Sequence, residues 1–193
     1  MHTKVKNPEI RDMVLQKATG FIAGRGPKGW STAELAKECG LAKNTLYKII
    51  GSKEQLLETI VMGQIDMTTD LLKTIIRQES GYRSAALRML EDGPSLLAER
   101  PRVTFAEIFL EYPSLEQKTV EHQKKAAAEI IQFIRLGQRD GFVRGDIEPE
   151  FLYDLIRGFV DHYIRSGLIG VPFADALHKA FICLREGVRL GDW

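Results

Sequence analysis

The chain has 193 residues, 44% hydrophobic and 27% charged, with a formal net charge of +1. That is enough to bury one or two cores and is ordinary for a soluble globular protein. No apolar run approaches the roughly 20 residues of a membrane span, the N-terminal "MHTKVKNPEI" lacks the apolar centre of a signal peptide, and a cytoplasmic chain with no membrane partner is expected. The charge is unevenly placed: residues 1–58 carry 10 Lys/Arg against 6 Asp/Glu, a net of +4, and the remainder 17 against 20, a net of −3. A basic N-terminal segment on a slightly acidic body hints at nucleic acid.

The periodicity is helical almost throughout. Asn7 is placed to cap a first helix, with Pro8 at the first helical position, where a missing N–H costs nothing. Ile10, Met13, Val14, Phe21 and Ile22 recur at helical spacing until Gly24 and Gly26. "STAE" at 31–34 is a capping box in which Ser31 caps and Glu34 reaches back. Gly40 stops that helix. A short helix over 43–50 follows, then a second capping box, Ser52 and Gln55, opens a long helix over 53–78. Further helices are expected near 82–98, 101–111, 114–139, 149–166 and 172–189, with Pro101, Pro113, Pro149 and Pro172 marking starts and Pro94 kinking or splitting the first. "RDGFVRGDIEPE" at 139–150 is the clearest loop. The product is an all-α chain of about nine helices: a helix-turn-helix unit over 1–55 and a helical body over 56–193.

Residues 43–50 carry the argument for function. At about 100° per residue, Leu46, Ile49 and Ile50 gather on one side. Asn44 and Lys48 project from the other, flanked by Lys43 and Tyr47 on one edge and Thr45 on the opposite edge. A short helix, a tight turn at Gly40 and a helix with such a polar strip form a helix-turn-helix, whose second helix fits the major groove of double-stranded DNA. Asn44 suits an adenine edge, and Lys43 and Lys48 suit guanine acceptors or phosphate. Thr45 and Tyr47 are placed for phosphates, as are Thr32 and Lys53 at the starts of their helices. The alternative is a solvated face on an ordinary three-helix unit.

The segment 17–57 resembles the DNA-binding domain of the TetR (tetracycline repressor) family of bacterial transcriptional regulators. The likeness rests on Ala18 and Phe21, Gly26, Ser31-Thr32, Leu35-Ala36, Gly40, Thr45-Leu46-Tyr47, Ser52-Lys53-Glu54 and Leu56-Leu57. "GFVRGDIEPEFL" at 141–152 is similar to the loop before the family's penultimate helix. Three positions depart from the pattern. Ala42 stands where the family often has a Ser cap, Ile49-Ile50 replace a polar or aromatic pair, and Asn44 replaces a small residue.

In the body, Asp154, Arg157, Asp161 and Arg165 form one narrow stripe on the 149–166 helix, and nearly everything else there is apolar. So wide an arc needs two burial surfaces. The resemblance implies that the second is another copy of the chain, with Leu152, Leu155, Ile156, Phe159, Tyr163, Leu177, Phe181 and Leu184 at a homodimer interface. A central helix buried in a monomer is the alternative. The family's C-terminal domain often holds a small-molecule pocket, for which Phe105, Phe109, Tyr112, Phe133, Phe159, His162 and Tyr163 are the candidate lining; the alternative for each is core packing, and for His162 a satisfied core histidine. Cys39 and Cys183 fit no metal or redox spacing and are expected to be buried thiols. No phosphate loop, nucleophile elbow, metal cluster or paired-carboxylate motif argues for an enzyme, and no cofactor is expected. The expected function is a DNA-binding repressor released from a near-palindromic operator by a small apolar or aromatic ligand, with a regulator lacking any such ligand as the alternative.

Overall fold

The computed structural model describes residues 8–99, 105–166 and 168–188. Within them lie eleven helices: α1 (Pro8–Arg25), α2 (Thr32–Glu38), α3 (Lys43–Ile50), α4 (Lys53–Gln78), α5 (Tyr82–Glu91), α6 (Gly93–Ala98), α7 (Phe105–Glu111), α8 (Ser114–Ala126), α9 (Ala128–Arg139), α10 (Pro149–Arg165) and α11 (Gly170–Val188). The sequence suggested about nine, and two of those are broken. Pro94 lies in the first turn of α6, where it cannot donate to the preceding turn, so 82–98 is two helices. The 114–139 stretch breaks at Ala127, which neither Pro nor Gly marks. The Asn7 cap, the Pro101 helix start and the Arg165 side chain lie outside the described residues.

The chain divides into two compact units, each discontinuous in sequence. The first takes residues 1–64 and 101–122. Its core is built from Val14, Ala18 and Ile22 of α1, Leu35 of α2, Leu46 and Ile50 of α3, Leu56, Leu57, Ile60 and Val61 of α4, and Ile108 and Leu115 of α7 and α8. Along α4 these apolar positions recur at three- and four-residue spacing, so one stripe is buried and the rest stays polar. The polar edge is used as well. Ser114 donates to Glu54 at 2.7 Å and Lys118 to Glu58 at 2.7 Å, tying α8 to the first turns of α4.

The second unit takes residues 65–100 and 123–193. One cluster centres on Tyr82, whose ring stacks on Phe133 at 4.6 Å and Phe142 at 5.5 Å, with Ile75, Ile134, Val143 and Leu152 around it. Burial there pushes the Tyr82 hydroxyl up to about 12. The other joins Leu97, Phe173 and Leu177 to half-buried Phe159, Val160, Tyr163, Ile164 and Phe181. The expected loop closes onto α11: Arg144 N–H donates to Val188 O at 2.8 Å, its guanidinium forks onto Asp146, and Gln138 bonds the carbonyls of Arg144 and Ile147.

Two expectations fail here. Cys39 is buried but Cys183 is exposed, because it shares the solvent-facing stripe of α11 with Asp175, Lys179 and Glu186. His162 is exposed too, one residue off the apolar arc of α10, its ring edge-on to Tyr163 at 5.0 Å. No helix among the described residues is long and apolar enough to cross a membrane, and no group of His, Cys, Asp and Glu among them could hold a metal ion.

Candidate nucleic-acid interface

The site is assembled by two short helices and the caps that delimit them. Ser31 Oγ accepts from the Glu34 N–H at 3.2 Å, and Glu34 accepts from the Ser31 N–H at 2.7 Å, so both halves of the capping box form. The Ser31 hydroxyl, 2.9 Å from the same carboxylate oxygen, and then the Ser31 N–H hold the exposed Glu34 carboxyl below the usual carboxylate range. Gly40 then turns the chain at φ +65°, a left-handed conformation that favours glycine, and the Leu41 N–H donates back to Ala36 O at 2.8 Å. This turn lays α3 across α2 and closes at Gly51, at φ +70°.

α3 has the predicted sidedness. Leu46 and Ile50 are buried and Ile49 is half-buried, while Lys43, Asn44 and Lys48 are exposed. Ala42 makes no side-chain cap bond, as its identity requires. Thr45 is half-buried on the flank and Tyr47 is 37% exposed. The Tyr47 and Thr32 hydroxyls are 2.8 Å apart in a hydrogen bond that joins the start of α2 to the middle of α3. Two residues that spacing assigned separately to phosphate thus present one paired hydroxyl surface.

Lys53 is placed differently from the free phosphate contact that its position suggested. It lies at the first residue of α4, half-buried, donating to Trp30 O at 2.8 Å with its ammonium 4.4 Å from the indole ring centre. Burial lowers its pKa, against the opposing charges of Glu111 and Glu34. Sequence reasoning passed over Trp30, which is buried and packs on Phe21 at 5.9 Å. The available signal was its place just before the capping box, with Leu35 at the fourth helical position: the pattern of a hydrophobic staple.

The candidate ligand residues are not brought together as one set. Phe105, Phe109 and Tyr112 are half-buried in the first unit, the two phenylalanines 5.9 Å apart. Phe133 is committed to the Tyr82 stack, and Phe159 and Tyr163 border the Phe173 cluster in the second unit. A cleft of about 230 Å³ opens in the first unit, between Arg11, Leu15, Ile49, Gln55 and Thr59 among others, and none of the seven lines it.

The capped two-helix unit, with basic and amide groups on the outer face of its second helix, defines a helix-turn-helix DNA-binding protein on an all-helical scaffold. Residues 14–60 match the family model described as bacterial regulatory proteins, tetR family. The chain is 24% identical over 164 residues to the HTH-type transcriptional repressor KstR2 of Mycolicibacterium smegmatis, covering 76% of this chain and 74% of that one. It is 20% identical over 183 residues to the nucleoid occlusion factor SlmA of Marinobacter nauticus, covering 88% and 91%. Its fold is that of the transcriptional regulator FadR from Bacillus subtilis, solved in complex with stearoyl-CoA, at a TM-score of 0.74, 17% identity and coverage of 92% and 99%. The likeness to the tetR family of bacterial regulatory proteins is thus carried by residues 14–60, and the KstR2 relative is a transcriptional repressor.

Proposed function

We propose that the protein is a dimeric transcriptional repressor working in the cytoplasm, released from a near-palindromic operator by a small apolar or aromatic ligand. The carrying observation is the sidedness of α3: Leu46 and Ile50 are buried while Lys43, Asn44 and Lys48 stand free to meet base edges. Thr32, Thr45, Tyr47 and Lys53 surround that strip and serve the phosphates, which fix register without carrying sequence. In this reading residues 1–55 bind DNA and residues 56–193 take the ligand and form the dimer.

Dimerisation is supported by α10. Only Leu152 of its apolar residues is buried within one chain; Leu155, Ile156, Phe159, Val160, Tyr163 and Ile164 are half-buried and Phe151 is 52% exposed. α10 packs beside α11, where Phe181 and Leu184 are half-buried too. Covering both helices with a second copy removes that apolar surface from water and sets two α3 helices on two half-sites.

The ligand reading draws on FadR, solved with stearoyl-CoA, whose acyl chain is long and apolar, and on the half-buried aromatics Phe159 and Tyr163 of the second unit. A ligand acts only through different affinity for the DNA-bound and DNA-free arrangements. A coupling of about 1–3 kcal/mol gives roughly a 5–150-fold loss of operator affinity. The alternative reading is a DNA-binding regulator without such a ligand. The experiment is selection of duplexes from a random library by the purified protein. Enriched near-palindromes support the proposal, and failure to enrich any sequence refutes it. A hydrophobic metabolite that binds the DNA-free protein more tightly than the complex separates the two readings, because linkage is reciprocal.

A further inference from the structure

We infer that Arg11 of α1 binds a backbone phosphate on the strand opposite the one met by Thr32 and Tyr47, with the cleft at the end of α3 as the seat. The inference rests on reading α3 as the recognition helix. A helix in the major groove lies between two phosphate backbones, one along each of its edges. One edge of α3 is furnished for this. It carries Lys43 and Tyr47, and the Tyr47 hydroxyl is bonded to that of Thr32 at 2.8 Å. The other edge is nearly bare. At about 100° per residue it carries Thr45 and Ile49, both half-buried. They offer one hydroxyl, one alkyl group and no charge.

Ile49 borders the cleft of about 230 Å³, which lies within the first unit. Its walls come from α1, the last turn of α3 and the first turns of α4, and include Arg11, Leu15, Ile49, Gly51, Gln55 and Thr59. No Asp or Glu lines it, so its one formal charge is the Arg11 guanidinium. Arg11, Gly51 and Gln55 are exposed at the rim. The other basic residues of α1 are already engaged. Lys17 is paired with Glu38 at 2.9 Å, and Arg25 stands 3.8 Å from Glu34 and 4.8 Å from the Phe21 ring centre. Arg11 pairs with no carboxylate among the described residues. A guanidinium is a planar fork of donors that meets two phosphate oxygens at once, and the Gln55 amide adds a neutral donor at the same rim. α1 thus supplies the charge that the Thr45 and Ile49 edge of α3 lacks. With both edges held, register in the groove is fixed from two sides.

The test uses the full chain and a duplex enriched by the random-library selection. Arg11→Gln should weaken binding about three- to tenfold and lower the slope of log affinity against log salt by about 0.9, one lost phosphate contact. Arg11→Lys should restore the slope. Lys17→Gln, further along α1, reports the general effect of lost positive charge and should lower the slope by less than about half as much. A slope unchanged by Arg11→Gln, lowered equally by Lys17→Gln, or not recovered by Arg11→Lys overturns the inference. Neutral methylphosphonates, placed one at a time in the duplex, locate the contact. Within one half-site, Arg11→Gln should abolish the cost of neutralising a phosphate on one strand, and Tyr47→Phe should do so on the other. Both effects mapping to the same strand overturn the inference and leave the DNA-binding reading standing. A wild-type chain that binds no duplex overturns that reading and the inference with it.

Discussion

Gly63 and Gly137 both lie inside helices, in α4 and α9, and the same substitution should have opposite signs at the two. On propensity alone, Gly→Ala in a helix interior stabilises by about 0.8–1 kcal/mol. At Gly63 an added Cβ meets nothing within 4 Å, so Gly63→Ala should return most of that gain. At Gly137 the Cβ falls inside van der Waals contact with two ring carbons of Tyr82 and 2.8 Å from its hydroxyl. That ring cannot swing aside, because it is buried and stacked on Phe133 and Phe142. Forcing extra volume into such a core costs about 1–3 kcal/mol. Against the propensity gain, Gly137→Ala should be destabilising by up to about 2 kcal/mol. Urea unfolding followed by far-ultraviolet circular dichroism, at one fixed protein concentration, measures both variants. A gain for Gly137→Ala equal to that for Gly63→Ala would refute the packing argument and with it the assignment of Tyr82 to the core.

Asn44→Ala and Lys48→Ala should each cost about 1–3 kcal/mol of operator affinity and relax preference at particular base pairs, read by binding to a panel of point-substituted duplexes. Phe159→Asp should give monomers or insoluble protein, since it puts a charge on the half-buried arc of α10; sedimentation of the wild type as a soluble monomer at micromolar concentration would contradict the dimer. Glu34 ionises below its ordinary value because Ser31 bonds its carboxylate, so its contribution to stability is present above about pH 4.5 and lost as pH falls through its folded value. Glu34→Gln should flatten that acid limb of the stability curve, and an unchanged limb would show that the capping box does not act through the charge.

The first unit was legible because its signals are local. Ser31 with Glu34, Gly40, and Ser52 before Lys53 bracket α2, α3 and the start of α4 within a few residues each, and the alternation of Leu46 and Ile50 with Lys43, Asn44 and Lys48 assigns the two faces of α3. What escaped was set by residues distant in sequence. Lys53 meets Trp30 across 23 positions. Helical periodicity says that Phe133 and Phe105 are apolar-facing but not what they face; one joined the Tyr82 stack and the other a different unit. The break at Ala127 is flanked by alanines with no proline or glycine to announce it. Cys183 was read from the residue type, which favours burial, against its position on the polar stripe of α11.

Hydroxyl-radical footprinting of the purified protein on a duplex from the random-library selection tests the central claim most directly, because it maps where each recognition helix lies. Two copies of α3 reading one operator should protect two half-sites whose centres are about 10 base pairs, or a multiple of that, apart. Asn44→Ala should weaken both footprints together. A single continuous footprint without two-fold symmetry, or one indifferent to Asn44→Ala, would contradict the account.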